Sequence, residues 1–148
     1  MNERTLAVEV EVRIEAAPED VFPYLVDPAL YVRWKGLDAE LDARPGGIYR
    51  VRMRPDAYVR GEFLVVEPPH RVVFTWGWEG DGELPPGTSR VEVTLRSVEG
   101  GTALLLRHTG LGDEDSVNLH RGGWEHYLGR LALVGVGADP GPDALQPL

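Results

Sequence analysis

The chain contains no cysteine, which excludes disulfides, thiolate metal sites and cysteine nucleophiles by inventory. It has a single lysine, Lys35, in a basic complement of 15 that is otherwise arginine, a bias that reads as the codon usage of a GC-rich genome rather than as mechanism. Against those 15 stand 24 acidic residues, giving a formal net charge of -9 with no cluster of Lys and Arg. Binding to a phosphate backbone depends on such clusters, so neither nucleic acid nor an anionic membrane is an expected partner. No apolar run reaches the roughly 20 residues needed to cross a bilayer. The N-terminus leads into an alternating segment that carries Glu9 and Glu11, which a signal-peptide core would not tolerate, and a cytoplasmic location is expected. The glycine-rich spots lack the phosphate-loop pattern, and Ser89, Ser97 and Ser116 sit in no nucleophile elbow.

What is present is periodicity. Leu6, Val8, Val10, Val12 and Ile14 alternate with Ala7, Glu9, Glu11 and Arg13, the pattern of a half-buried strand. Ala17-Pro18-Glu19-Asp20 places proline and two acids at a helix start, where the missing N–H costs nothing and negative charge suits the dipole. A short helix through Val21, Phe22 and Leu25 follows, kept brief by Pro23, and Asp27-Pro28 restarts a second turn toward Trp34. From there the spacing predicts a meander with strands over 38–43, 48–54, 58–67, 71–78, 89–97 and 102–108, separated by proline and glycine turns. Tyr49, Val51 and Met53 oppose Arg50, Arg52 and Arg54, and Val91, Val93 and Leu95 oppose Arg90, Glu92 and Thr94. Val72, Phe74, Trp76 and Trp78 share one apolar face. Asp113 or a neighbour caps a final helix whose stripe is Trp124, Tyr127, Leu128, Leu131 and Val134. A single domain over 1–136 and a flexible tail over 137–148 are expected, within a size that supports one core.

The order strand, two short helices, six-strand meander and terminal helix resembles the helix-grip fold of the START-like superfamily, also called the polyketide cyclase and Bet v 1-like group. The branch it resembles is that of the activator-of-heat-shock-protein-90-ATPase homologues. The residues that carry the likeness are Ile14-Glu15-Ala16-Ala17-Pro18, Asp27-Pro28 through Trp34, and Arg44-Pro45-Gly46-Gly47 before Tyr49. They continue in Gly61-Glu62-Phe63, Pro68-Pro69-His70-Arg71 through Trp76, Gly100-Gly101-Thr102, His108-Thr109-Gly110, and Gly123-Trp124 with Leu128 and Leu131. The resemblance implies an α+β fold, an antiparallel curved sheet of six to seven strands wrapped around a long C-terminal helix with a cavity between them. Among wider relatives are lipid, hormone and polyketide binders and some cyclases. The chaperone-activating role belongs to eukaryotic members with a second, N-terminal domain, which this sequence does not show, so a chaperone is a doubtful partner.

Trp34, Trp76, Trp78 and Trp124 fall where the expected sheet and helix faces look inward. Such aromatics serve equally as plain core, each burying about 150–250 Å², or as the walls of a ligand pocket. His120 shares the helix face of Trp124, four positions on, whereas His126 lies roughly 200° round the wheel and should meet solvent. His108 ends a strand on the side of Leu104 and Leu106. Two histidines without an inward carboxylate or cysteine make a poor metal site, and no metal or cofactor is expected. The leading expectation is a non-catalytic pocket for a small apolar molecule: a lipid, a polyketide or an aromatic. Its walls would be Trp34, Tyr49, Phe63, Trp76, Trp78, Trp124 and Tyr127, with His108 and His120 as polar contacts. Two alternatives stand beside it: a cyclase- or hydrolase-type enzyme using His108, His120 or Tyr49 as acid or base, and an interaction module for a chaperone or a second copy, a homodimer. The acidic stretch 79–83 reads as a solvated hairpin tip that could lid a pocket mouth.

Overall fold

The alternation at the N-terminus produces β1 (Val8–Ile14), with Val8 and Ile14 fully buried and Glu9, Glu11 and Arg13 exposed. In the computed structural model, which describes residues 6–80, 82 and 84–142, this strand is one edge of a seven-stranded antiparallel sheet. The other strands are β2 (Asp38–Leu41), β3 (Ile48–Arg54), β4 (Ala57–Glu67), β5 (Arg71–Trp76), β6 (Ser89–Val98) and β7 (Gly101–Thr109). The meander runs in sequence order from β2 to β7, and β1 closes against β7 with Val8 opposite His108 and Ile14 opposite Thr102.

Between β1 and β2 the first expected short helix is itself divided. Pro23 cannot supply the N–H that would continue α1 (Pro18–Val21), and a new turn, α2 (Pro23–Val26), begins at the proline. The third turn, α3 (Pro28–Tyr31), is capped by the Asp27 carboxylate, which accepts from the Ala29 and Leu30 amides. These turns bury Val21, Leu25 and Tyr31 against the sheet.

The strand expected over 71–78 stops at Trp76. A Cβ at Gly77 would lie 2.0 Å from the Pro85 carbonyl oxygen, so the chain there runs hard against the returning loop, and Trp78 rejoins the sheet only through a single bridge to Val59. Trp78 is consequently half-buried where Trp76 is fully buried.

The last element, α4 (Glu114–Gly135), starts with Asp113 accepting from the Ser116 amide at 2.8 Å and carries Glu114 and Asp115 in its first turn, where the dipole favours them. It ends with Gly137 at φ +82°, its amide on the Val134 carbonyl and the Ala138 amide on the Leu133 carbonyl. That pattern is a Schellman cap, which suits glycine. Every residue of the expected stripe, from Trp124 to Val134, is buried on the sheet's inner face. Gly135 lets α4 close on β1, since a Cβ there would meet the Ile14 side chain at 2.5 Å. Beyond the helix, Arg130 donates to the carbonyls of Trp34, Pro140 and Gly141 at 2.8, 3.3 and 2.9 Å. Of the expected tail, 143–148 lie outside the described residues, as do Asp81 and Glu83 of the expected acidic hairpin tip.

Strand β4 passes β5 so closely at Gly61 that an added Cβ would sit 1.8 Å from the Thr75 carbonyl oxygen. Gly61→Ala is therefore expected to destabilise the fold by about 1–3 kcal/mol, the usual cost of forcing backbone apart in a packed sheet. The urea midpoint reads this, and an unchanged midpoint would show that β4 and β5 can separate freely at this point.

Candidate functional site

Strands β3, β5 and β7 and the helix α4 direct their inward residues to one place. Tyr49 on β3 stacks on Phe74 of β5 with ring centroids 4.0 Å apart, and Phe63 of β4 meets both edge-on. Trp34 lies 4.9 Å from Tyr31 and donates its indole N–H to the Tyr24 carbonyl. Trp76 packs 5.1 Å from Trp124 and 6.3 Å from Trp78. The hydroxyls of Tyr31 and Tyr49 hydrogen-bond each other in the interior, and burial pushes both phenols well above their ordinary range.

His108 sits at the centre of a polar chain whose protons can be assigned from chemistry. The Trp124 indole N–H can only donate, and it does so to His108 Nδ1 at 3.0 Å, so the imidazole proton lies on Nε2. Nε2 then donates to Ser89 Oγ at 2.9 Å, and the Ser89 hydroxyl donates to the Trp76 carbonyl at 2.7 Å. A serine beside a histidine resembles a nucleophile beside its base, but the proton flow runs the opposite way. The histidine gives to the serine, whose own proton is held by a carbonyl. Burial, reinforced by the neighbouring His120 and Lys35, holds His108 well below its ordinary pKa near 6.5, which keeps the ring neutral.

His120 lies one turn before Trp124. Its Nδ1 is 2.8 Å from the Ser116 carbonyl, which only accepts, so Nδ1 carries the proton and Nε2 presents a lone pair. Burial lowers its pKa as well, against the opposing pull of the Ser116 carbonyl.

Lys35 was the residue that composition misread. The lone lysine is 1% exposed, with Nζ 4.5 Å from the Trp76 ring, 5.1 Å from Trp124 and 5.2 Å from Tyr127. Nζ also lies 3.2 Å from Met53 Sδ. An ammonium over aromatic faces is held by their quadrupoles, more strongly where water is excluded. The signal was its uniqueness in a chain that elsewhere uses arginine.

These aromatics leave little room among themselves. A void of about 10 Å³ is bounded by Lys35, Trp76, His120, Gly123, Trp124 and Tyr127, and another of about 10 Å³ by Trp34, Phe74, Trp124 and their neighbours. The large space lies just outside them. A cleft of about 550 Å³ opens between the β3–β4 turn, the loop after β5 and the start of α4, lined by Arg54, Ala57, Trp78, Leu84, Leu111, Leu119, Ser116 and His120 among others. Of the nine side chains expected in one pocket, Trp78 and His120 face this cleft. Trp34, Tyr49, Phe63, Trp76, His108, Trp124 and Tyr127 form the packed interior behind it. Leu84, Leu111 and Leu119 went unnoticed because they lie in irregular segments or off the helix stripe, where periodicity assigns no face. His126, expected in solvent, is half-buried with its ring 4.9 Å from Tyr127.

A seven-stranded antiparallel sheet holding one long helix, with short turns after the first strand, defines a helix-grip domain of the START-like superfamily. Within it, the chain belongs to the family of Activator of Hsp90 ATPase homolog 1-like proteins, whose sequence model matches residues 15–134. An AHSA1-like protein from Rhizobium etli is 41% identical, the match covering 96% of this chain and 89% of that one with a TM-score of 0.75. DynU16, a putative protein in the dynemicin biosynthetic locus, is similar over 93% of this chain at 26% identity and a TM-score of 0.81, and this chain spans 50% of its length. CalU16 from Micromonospora echinospora is 28% identical, with 87% of this chain and 75% of that one covered and a TM-score of 0.70. No curated protein matches the chain. Among the described residues no helix is long and apolar enough to cross a membrane.

The buried histidines make stability depend on pH with a definite sign. In the unfolded chain they titrate near 6.5, whereas the folded protein holds both lower. Below that value the unfolded state takes up protons that the folded state refuses, so stability is full above it and falls as pH falls toward the folded values. The urea midpoint should drop between about pH 7.5 and about pH 5.5, and the drop should be shallower in His108→Gln. Equal slopes in the two proteins would contradict the buried, neutral His108.

Proposed function

We propose that the protein binds a small, largely apolar molecule in the cleft between the start of α4 and the loop after β5, without catalysis. The observation that carries this reading is the cleft itself. Its volume of about 550 Å³ is in the range of small-molecule sites, and Trp78, Leu84, Leu111 and Leu119 give it apolar walls beside the polar side chains of Arg54, Asp113, Asp115, Ser116 and His120. Leu119, 47% exposed on a helix whose other large apolar side chains are mostly buried, gains shelter when the cleft is filled. The family likeness supports a ligand-binding domain, and two similar structures, DynU16 and CalU16, have the same fold over most of this chain.

The hydrogen bonds favour binding over hydrolysis. His108 has both ring nitrogens engaged, and Ser89 has its proton on a carbonyl, so neither is poised as base or nucleophile. The interior aromatics then act as a rigid floor that sets the depth of the cleft, and Trp78 reports on its occupancy.

Titration of the intact chain with an apolar fluorophore and a panel of lipids and aromatic polyketides should quench tryptophan emission with at least one member. Leu119→Trp, placed to fill the cleft from an exposed helix position, should weaken that binding tenfold or more while leaving the unfolding free energy within about 0.5 kcal/mol. Absence of quenching by every member, or undiminished binding to Leu119→Trp, would remove the reading.

A further inference from the structure

The cleft ends on His120, whose ring also bounds the smaller void shared with Lys35, Trp76, Trp124 and Tyr127. Two polar atoms here have no hydrogen-bond partner, Trp76 Nε1 and His120 Nε2, on side chains only 1% and 5% exposed. Natural proteins rarely leave such atoms unmet, and an unmet pair invites a functional explanation. The two are chemically opposite. The indole N–H of Trp76 can only donate, and His120 Nε2, with its proton committed to the Ser116 carbonyl through Nδ1, can only accept.

One oxygen that carries a proton, whether of a water or of a ligand hydroxyl that displaces it, has the chemistry to meet both, accepting from Trp76 and donating to His120. An ether, ketone or carboxylate oxygen answers Trp76 and leaves His120 unmet. An ammonium answers His120, leaves Trp76 unmet and meets the charge of Lys35. The void of about 10 Å³ is the size of one water-sized group, enough for a hydroxyl and too small for a ring. From this complementarity we infer that the site selects ligands with a hydroxyl at the leading end, a phenol above all, inserted between Trp76 Nε1 and His120 Nε2 while the flat apolar body occupies the outer cleft. A phenol suits better than an aliphatic alcohol, because its O–H is the stronger donor and its ring continues against Trp78 at the cleft wall. This assignment rests on the cleft being the ligand site.

The test is calorimetric titration of the intact protein with 2-naphthol, 2-methoxynaphthalene, naphthalene and 2-naphthoate. 2-Naphthol should bind roughly tenfold tighter than each of the other three, because only it leaves neither buried atom unmet. In proton–nitrogen spectra the Trp76 indole resonance should move on addition of 2-naphthol and stay in place with naphthalene. The preference for 2-naphthol over naphthalene should shrink to within about twofold in Trp76→Phe and in His120→Phe. The comparison within the unaltered protein stands even where a variant folds poorly. Equal binding of 2-naphthol and naphthalene would overturn the hydroxyl assignment while leaving the cleft as a ligand site. Tightest binding of 2-naphthoate would overturn it in favour of an anion drawn by Lys35. No binding of any of the four would overturn it together with the cleft reading.

Discussion

Trp124 is the point on which helix and sheet depend. Its ring lies 5.1 Å from that of Trp76, and its N–H gives to His108 at the end of β7. That one donor fixes the His108 tautomer, the tautomer fixes the direction of the bond to Ser89, and Ser89 in turn holds the Trp76 carbonyl at the end of β5. An apolar contact is non-directional and would let the helix slide along the sheet. The hydrogen-bonded chain from α4 through β7 and β6 to β5 gives it one register. A fully satisfied buried network of this kind rigidifies a core because each lost partner leaves a stranded polar group. The helix needs that help, since Gly122, Gly123 and Gly129 each weaken it by roughly 1 kcal/mol relative to alanine.

The same rigidity explains why the large open space lies at the cleft and not beneath the helix. Three tryptophans, three tyrosines and two phenylalanines could have lined an open cavity, but they interlock at stacking and edge distances and leave only water-sized voids. The outer face of the sheet carries charge instead, with Glu9 to Arg107 and Arg71 to Glu92 paired across strands, and Arg50 of β3 paired with Glu79 in the loop after β5. Pairs this exposed each contribute about 0–1 kcal/mol.

Strand existence and most inward faces were legible because a period of two holds between irregularities, as at Tyr49, Val51 and Met53; at the register shift in β4 it slips, and Phe63 and Val66, three apart, both pair with inward residues of β5. The helix stripe was legible for the same reason at its own period. What periodicity could not convey is where loops close on each other. Trp78 leaves its strand because Gly77 meets Pro85, a contact between segments distant in sequence. Leu84 and Leu111 line the cleft from segments with no repeating pattern. Lys35 was visible as an oddity of composition, but its burial among four aromatic rings follows from the path of the turn after α3, which no local pattern encodes. Likewise, histidine faces were legible at His108 and His120, whereas their proton positions needed the partners on other strands.

The central claim is that a ligand lies in the cleft in front of the packed aromatics. Intermolecular nuclear Overhauser contacts between the protein and a bound apolar aromatic, such as a naphthalene derivative, locate it directly. The account predicts contacts to Trp78, Leu84, Leu111 and Leu119, with Phe63 and Tyr49 untouched. Contacts to Phe63 and Tyr49, or to the charged outer face around Arg107 and Glu92, would contradict it.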